Sequence, residues 1–139
     1  AAITATGILK GAGSGSVSAA TAGTDYQAPM TITTNANASP ALGTLANNNE
    51  YRCTNASLSA APTVTIAAIA STATEFSAAV IFKAPNTTAP VVTNNSGYTL
   101  KYSGTDVSSG TFAPKSGTVY RISFVFDGIY LNAYVMGVV

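Results

Sequence analysis

Five carboxylates, one thiol and no imidazole make up most of the acid, base and nucleophile chemistry open to this 139-residue chain. An enzyme built from it must rely on Asp25, Glu50, Glu75, Asp106, Asp127, Cys53, a lysine or a tyrosine. Each acid has a plainer role: Asp106 and Asp127 stand in turn sequences, Asp25 in a Gly-rich entry segment, and Glu50 and Glu75 at the start of strands. Glycoside hydrolysis needs two carboxylates roughly 5–10 Å apart; no spacing here supplies such a pair, although one formed between subunits stays open. With one Cys and no His, the usual zinc and redox patterns are absent and an intrachain disulfide is excluded. Cys53 reads as a small core hydrophobe on a strand. The glycines at 11, 13 and 15 are followed neither by Lys-Ser/Thr nor by a helical pattern, as a phosphate cradle requires. These observations point away from catalysis and from any cofactor or metal.

Binding remains. Aromatic faces stack on sugar rings while amides reach hydroxyls, and Asn94, Asn95, Tyr98 and Tyr102 group on one turn and strand as receptor-contact candidates. The alternative reading puts Tyr98 and Tyr102 in the core or an interface and leaves the asparagines to shape the turn. Four Asn-x-Ser/Thr matches, at Asn37, Asn55, Asn86 and Asn94, are what an Asn/Thr-rich chain produces by chance.

The elements that position these residues follow a period of two. Met30–Thr34, Glu50–Asn55 and Thr63–Ile66 alternate apolar and polar side chains. Phe76–Phe82 is more continuously apolar, as for a strand covered on both faces. Residues 35–49 read as an Asn/Ala/Gly-rich connection around Pro40, with Leu42 and Leu45 as its large apolar anchors. The one helix candidate, Ala67–Ala73, is short and lacks a clear cap. Pro85 and Pro90 bracket a loop or edge strand with Val91-Val92. Tyr98, Leu100 and Tyr102 share one face of a further strand, and Val107 and Phe112 mark short pieces.

At the C-terminal end, Val119–Phe126 and Ile129–Val135 flank Asp127-Gly128, a favoured two-residue type I′ hairpin loop. That turn would face Phe126 with Ile129, Phe124 with Leu131, Ile122 with Ala133 and Tyr120 with Val135, an apolar core face. The opposite face pairs Val125 with Tyr130, Ser123 with Asn132, Arg121 with Tyr134 and Val119 with Met136, suiting a subunit interface or a half-wet surface. Arg121 over Tyr134 reads as a cation–π pair. Seven or eight short strands at about ten-residue spacing predict an all-β fold, an antiparallel β-sandwich or jelly roll.

Composition narrows the partners. Only 8% of residues are charged and the formal net charge is +1, against about 25% charged in ordinary domains. No basic run is available to neutralise phosphates, which argues against nucleic acid and anionic membrane. No run of 18 apolar residues exists, so no membrane insertion is expected. A chain so poor in charge suits surfaces buried against identical subunits.

The entry segment GILKGAGSGSVSAATAGTDYQAP, residues 7–29, is the most specific stretch. Few large apolar side chains in so many residues cannot offset an ordering entropy of roughly 1–2 kcal/mol per residue, so it must order against something else. It resembles the Gly-Leu-Lys-Gly-x-Gly-x-Gly...Ala-x-x-Gly-Thr-Asp-Tyr-x-x-Pro element of tailed-bacteriophage fibre proteins. Gly7, Leu9, Lys10, Gly11, Gly13, Gly15, Gly23, Thr24, Asp25, Tyr26 and Pro29 carry the match, while Ala12 stands where that family often has Asp or Asn. Pro114-Lys115-Ser116-Gly117-Thr118-Val119-Tyr120-Arg121-Ile122-Ser123-Phe124 before an Asp-Gly hairpin resembles the tip domains that follow such shafts.

The resemblance implies a non-enzymatic virion protein assembled in the host cytoplasm. It would be a homotrimer contacting other virion proteins, and its tip would adhere to a bacterial surface glycan or protein. A head or collar decoration fibre, and a bacterial surface adhesin or carbohydrate-binding module, are the alternatives. The expected organisation is a shaft or shaft-to-tip segment over 1–34, a connecting loop over 35–49 and a tip domain over 50–139. A start at Ala1 without Met or a charged leader reads as a cut from a longer fibre or a trimmed product.

Overall fold

In a computed structural model of the chain, residues 9–13, 16–20, 30–73 and 75–138 are described, and none of them is helical. The chain divides into two units, Ala1–Met30 and Thr31–Val139. In the first, β1 (Leu9–Gly13) pairs antiparallel with β2 (Ser16–Ala19), Leu9 opposite Ala19, with an irregularity between Gly11 and Gly13. Leu9, Lys10, Gly11 and Gly13 of the entry motif lie on β1; Gly7, Gly15, Gly23, Thr24, Asp25, Tyr26 and Pro29 lie outside the described residues.

The second unit begins with a chain that passes back and forth between two sheets. The strands β3 (Thr31–Asn35), β5 (Asn49–Cys53) and β7 (Ser77–Lys83) lie side by side in a six-stranded sheet; β4 (Ala41–Leu45), β6 (Thr63–Ile66) and β8 (Val91–Asn94) make a three-stranded one. Within each set, neighbours run parallel. Parallel neighbours cannot be joined by a tight turn, and here the strand of the other sheet serves as the crossover. Pro40, Pro62 and Pro90 each stand immediately before a strand of the small sheet, where a missing N–H is tolerated. The carbonyls of the first two keep the turns of the coil aligned: Thr63 donates its N–H to Pro40 and Val91 to Pro62, both at 3.0 Å.

Then the path changes. Strand β9 (Leu100–Gly104) becomes an edge of the large sheet, and the C-terminal hairpin of β12 (Val119–Phe126) and β13 (Leu131–Val138) fills the space between β7 and β9. β12 is antiparallel to both its neighbours, whereas β13 and β9 run parallel. The small hairpin of β10 (Val107–Ser108) and β11 (Thr111–Phe112) follows β9. Inward-facing Leu42, Leu45, Val64, Ile66, Val80, Phe82, Tyr120, Ile122, Phe124, Leu131 and Val135 from both sheets join one apolar cluster.

The fold is all-β as expected, with four corrections. Antiparallel pairing is confined to the two hairpins of this unit and to β7–β12; the other pairings are parallel. Residues 35–49 are not only a connection, because they hold β4 with its buried Leu42 and Leu45. Residues 67–73 form loop and turn, with Ala73 donating to the Ala70 carbonyl; an uncapped seven-residue run cannot meet the cost of helix nucleation.

The fourth concerns the Asp-Gly turn. Phe126 faces Leu131, not Ile129, so four residues cross the turn instead of two. Asp127 Oδ1 accepts the N–H groups of Ile129 (2.9 Å) and Tyr130 (2.7 Å), its Oδ2 accepts from Asn132, and of the loop's residues Gly128 has positive φ. An Asp side chain that captures the following amides outcompetes a tight turn. The register moves by two, which preserves the faces: Tyr120, Ile122, Phe124, Phe126, Leu131, Ala133 and Val135 are buried, and Ile129 is exposed. Positive φ at both central residues, as type I′ needs, occurs instead at Ser109-Gly110 between β10 and β11.

Gly104 ends β9 at φ +110°, and a Cβ there would lie 2.1 Å from the Val135 carbonyl oxygen. Gly104→Ala is expected to cost about 2–4 kcal/mol from backbone strain plus the clash, read as a lower urea midpoint with unchanged slope.

Candidate functional site

The outward face of the six-stranded sheet is where the unusual chemistry gathers. Register places Ile32, Glu50, Ala79, Ser123, Tyr134 and Ser103 in one row across it, and Thr34, Arg52, Ile81, Arg121 and Met136 in the next. Glu50 faces outward yet is only 2% exposed. Its small row neighbours, Ala79 and Ser123, leave a trough in which the carboxylate lies under two guanidinium groups. Arg52 Nε bonds Glu50 Oε1 at 2.5 Å, Arg121 Nη1 bonds Oε2, and Arg121 Nε also reaches Ser123 Oγ at 3.2 Å. Burial pushes the Glu50 carboxyl up, but the hydrogen bonds and charges of Arg52 and Arg121 outweigh it and hold the group below its ordinary value. Charge-assisted pairing of this kind is what permits an ionised carboxylate out of water.

Beside the triad lies an apolar patch. Tyr134, Met136 and Val138 of β13, each more than half exposed, stand next to Val119 of β12, and Ile32 is exposed at the other end of the sheet. Contiguous exposed apolar side chains are a feature that interaction surfaces share. Arg121 opposes Met136, not Tyr134, and is held by Glu50; the cation–π pair of this face is Lys101 over Tyr130, 3.1 Å from the ring centroid. Both changes follow from the longer hairpin loop.

The four sequence-predicted contact residues separate. Asn94 ends β8 with its side chain committed to the turn: Nδ2 donates to the Tyr98 carbonyl (2.8 Å), and Oδ1 accepts from the N–H and hydroxyl of the buried Ser96. Asn95 is exposed, its backbone N–H bonded to the Ile66 carbonyl. Tyr98 packs on Phe126, ring centroids 4.4 Å apart. Tyr102 lies elsewhere, lining a cavity of about 330 Å³ with Phe112 and Leu100.

No protein-family model, curated protein or solved structure matches the chain. Its own geometry must therefore carry the functional argument.

The remaining polar groups hold the framework. The Tyr120 hydroxyl donates to Asp106 Oδ2 (2.5 Å) and accepts the Lys115 N–H (2.9 Å), while Lys115 Nζ pairs with Asp106 Oδ1 at 2.5 Å. Hydrogen bonds from Lys115 and Tyr120 lower the Asp106 carboxyl below its usual range. Asp127 is lowered by the Tyr130 and Ile129 amides. Cys53 is half-buried, and burial pushes its thiol up to about 11.

Glu50 and Arg52 share a strand face at i, i+2, a signal visible in the sequence. Arg121, 71 residues away, carries none. Because the Glu50 carboxyl is lowered on folding, its stabilisation is complete above the unfolded value near 4.5 and is lost as pH falls through the folded value. The stability gap between wild type and Glu50→Gln is therefore expected to be widest at pH 6–7 and to shrink below about pH 4.5, read as urea midpoints across that range. Cys53 is expected to react with a disulfide reagent at pH 8 far more slowly in the native protein than in urea.

Proposed function

We propose that this chain is a bacteriophage fibre protein: a homotrimer whose β-sandwich-like tip mediates attachment to a bacterial surface. The observation that carries this reading is the outward face of the large sheet. A chain with 8% charged residues commits three of its charges to an ion triad there, a buried carboxylate under two partly exposed guanidinium groups, and leaves Tyr134, Met136, Val138 and Val119 exposed beside it. Apolar, aromatic and arginine side chains in one patch are the composition of interface cores. Identical subunits supply such a cover without further charge. The entry segment, with few large apolar side chains of its own and its likeness to fibre shafts, supports the same reading.

On this reading the outward face is buried between subunits and the protein works by holding and aiming three tips. Sedimentation equilibrium at micromolar concentration is expected to give three times the 13.9 kDa chain mass; a monomer would overturn the proposal. Met136→Glu with Val138→Glu is expected to shift the species toward monomer, because two carboxylates would be desolvated beside an apolar partner. Immunogold labelling of intact particles is expected at the tail end, and labelling confined to the capsid would replace attachment with decoration.

A further inference from the structure

We propose that the cavity beside Tyr102 is a subsite for one neutral pyranose ring. The inference rests on the attachment reading above and deepens it. The cavity opens where β8, the edge of the small sheet, faces the inner side of β9, the edge of the large one, and the β10–β11 hairpin forms its third wall. Its volume, about 330 Å³, sits at the low end of the range for small-molecule sites, room for a single sugar ring with its substituents.

The lining decides the ligand class. Ala89, Pro90, Val92, Leu100 and Phe112 supply apolar surface, Tyr102 and Thr111 supply hydroxyls, and no lining residue carries a formal charge. That disfavours an anionic or cationic ligand, which would be desolvated without a counter-charge. It suits a ring with apolar C–H faces and an equatorial rim of hydroxyls. Tyr102 and Phe112 are near parallel, 19° between planes and 6.5 Å between centroids. Among the described residues the Tyr102 hydroxyl has no hydrogen-bond partner, although burial raises its pKa. That hydroxyl is not fully buried, so it faces solvent and is free to bond a ligand hydroxyl.

The third wall is held in place before any ligand arrives. Phe112 packs edge-on against Tyr120 at 5.1 Å, and the Tyr120–Asp106–Lys115 bonds tie down both ends of the hairpin. Leu100 and Tyr102 face inward, opposite to Lys101 and Ser103. The cavity is thus on the other side of the sheet from the Tyr134–Val138 patch, so burial of that patch does not itself fill it.

The test is saturation-transfer NMR on the intact trimer with the methyl glycosides of glucose, galactose, rhamnose and N-acetylglucosamine, each at millimolar concentration. At least one is expected to receive saturation through its ring C–H protons, with an affinity loss of at least tenfold in Tyr102→Ala, a smaller loss in Tyr102→Phe and no change in Val91→Ser outside the cavity. Saturation of none of the four, or saturation that survives Tyr102→Ala, overturns the subsite. Uptake of indole or benzene without any glycoside also overturns it and makes the cavity a plain apolar gap. Adsorption of the same trimer to host envelope fractions is read separately. Adsorption unaffected by Tyr102→Ala would keep the attachment function and reject this subsite, whereas failure of wild type to adsorb would reject the function itself.

Discussion

The strict alternation of β12 is the constraint on which the rest of the second unit depends. Its inward residues Tyr120, Ile122, Phe124 and Phe126 are buried in the core, while its outward Arg121 closes the ion triad over Glu50. One strand thereby couples the apolar cluster between the sheets to the polar surface outside. A shift by one residue would exchange those roles, placing an arginine in the core and aromatic rings on the triad. The antiparallel partners on both sides, β7 and β13, pin that register along the whole strand.

The two sides of the large sheet are accordingly different instruments. The outward side combines a neutralised carboxylate with exposed apolar groups, chemistry that favours a broad protein partner. The inward side at β9 offers an uncharged recess lined by a phenol with no protein hydrogen-bond partner among the described residues. On the proposed reading, separating them across the thickness of one sheet would let assembly use one side and ligand contact the other.

Local pattern made some of this legible from residues alone. Alternation located β3, β5, β6 and the C-terminal pair, a more continuously apolar run located β7, and the faces of β12 survived a mistaken turn because the error was an even number of residues. Strand order is a long-range property, and period two does not distinguish parallel from antiparallel neighbours. A local clue to the coil did exist: Pro40, Pro62 and Pro90, each at the head of a short apolar run, align as successive rungs. Asp127 misled because its side chain captures the Ile129 and Tyr130 amides while its own N–H bonds the Tyr130 carbonyl, a four-residue loop in place of the two-residue turn. For the candidate contacts, Asn94 and Tyr98 are engaged within the fold, which hydrogen-bond capacity alone could not reveal, whereas Tyr102 faces the cavity because β9 is an edge strand.

The placement of β9 bears on how the protein comes into being. Synthesis proceeds from β3 toward β13, yet β9 borders β13 and β7 borders β12. Until the last strands emerge, two strands already made have open flanks, and Glu50 lacks one of its two guanidinium partners. The coil of β3 to β8 can wind as it leaves the ribosome, but the large sheet closes only after the C-terminal hairpin is complete. Nascent chains halted before Val119 would carry unpaired edges that invite mispairing with their neighbours.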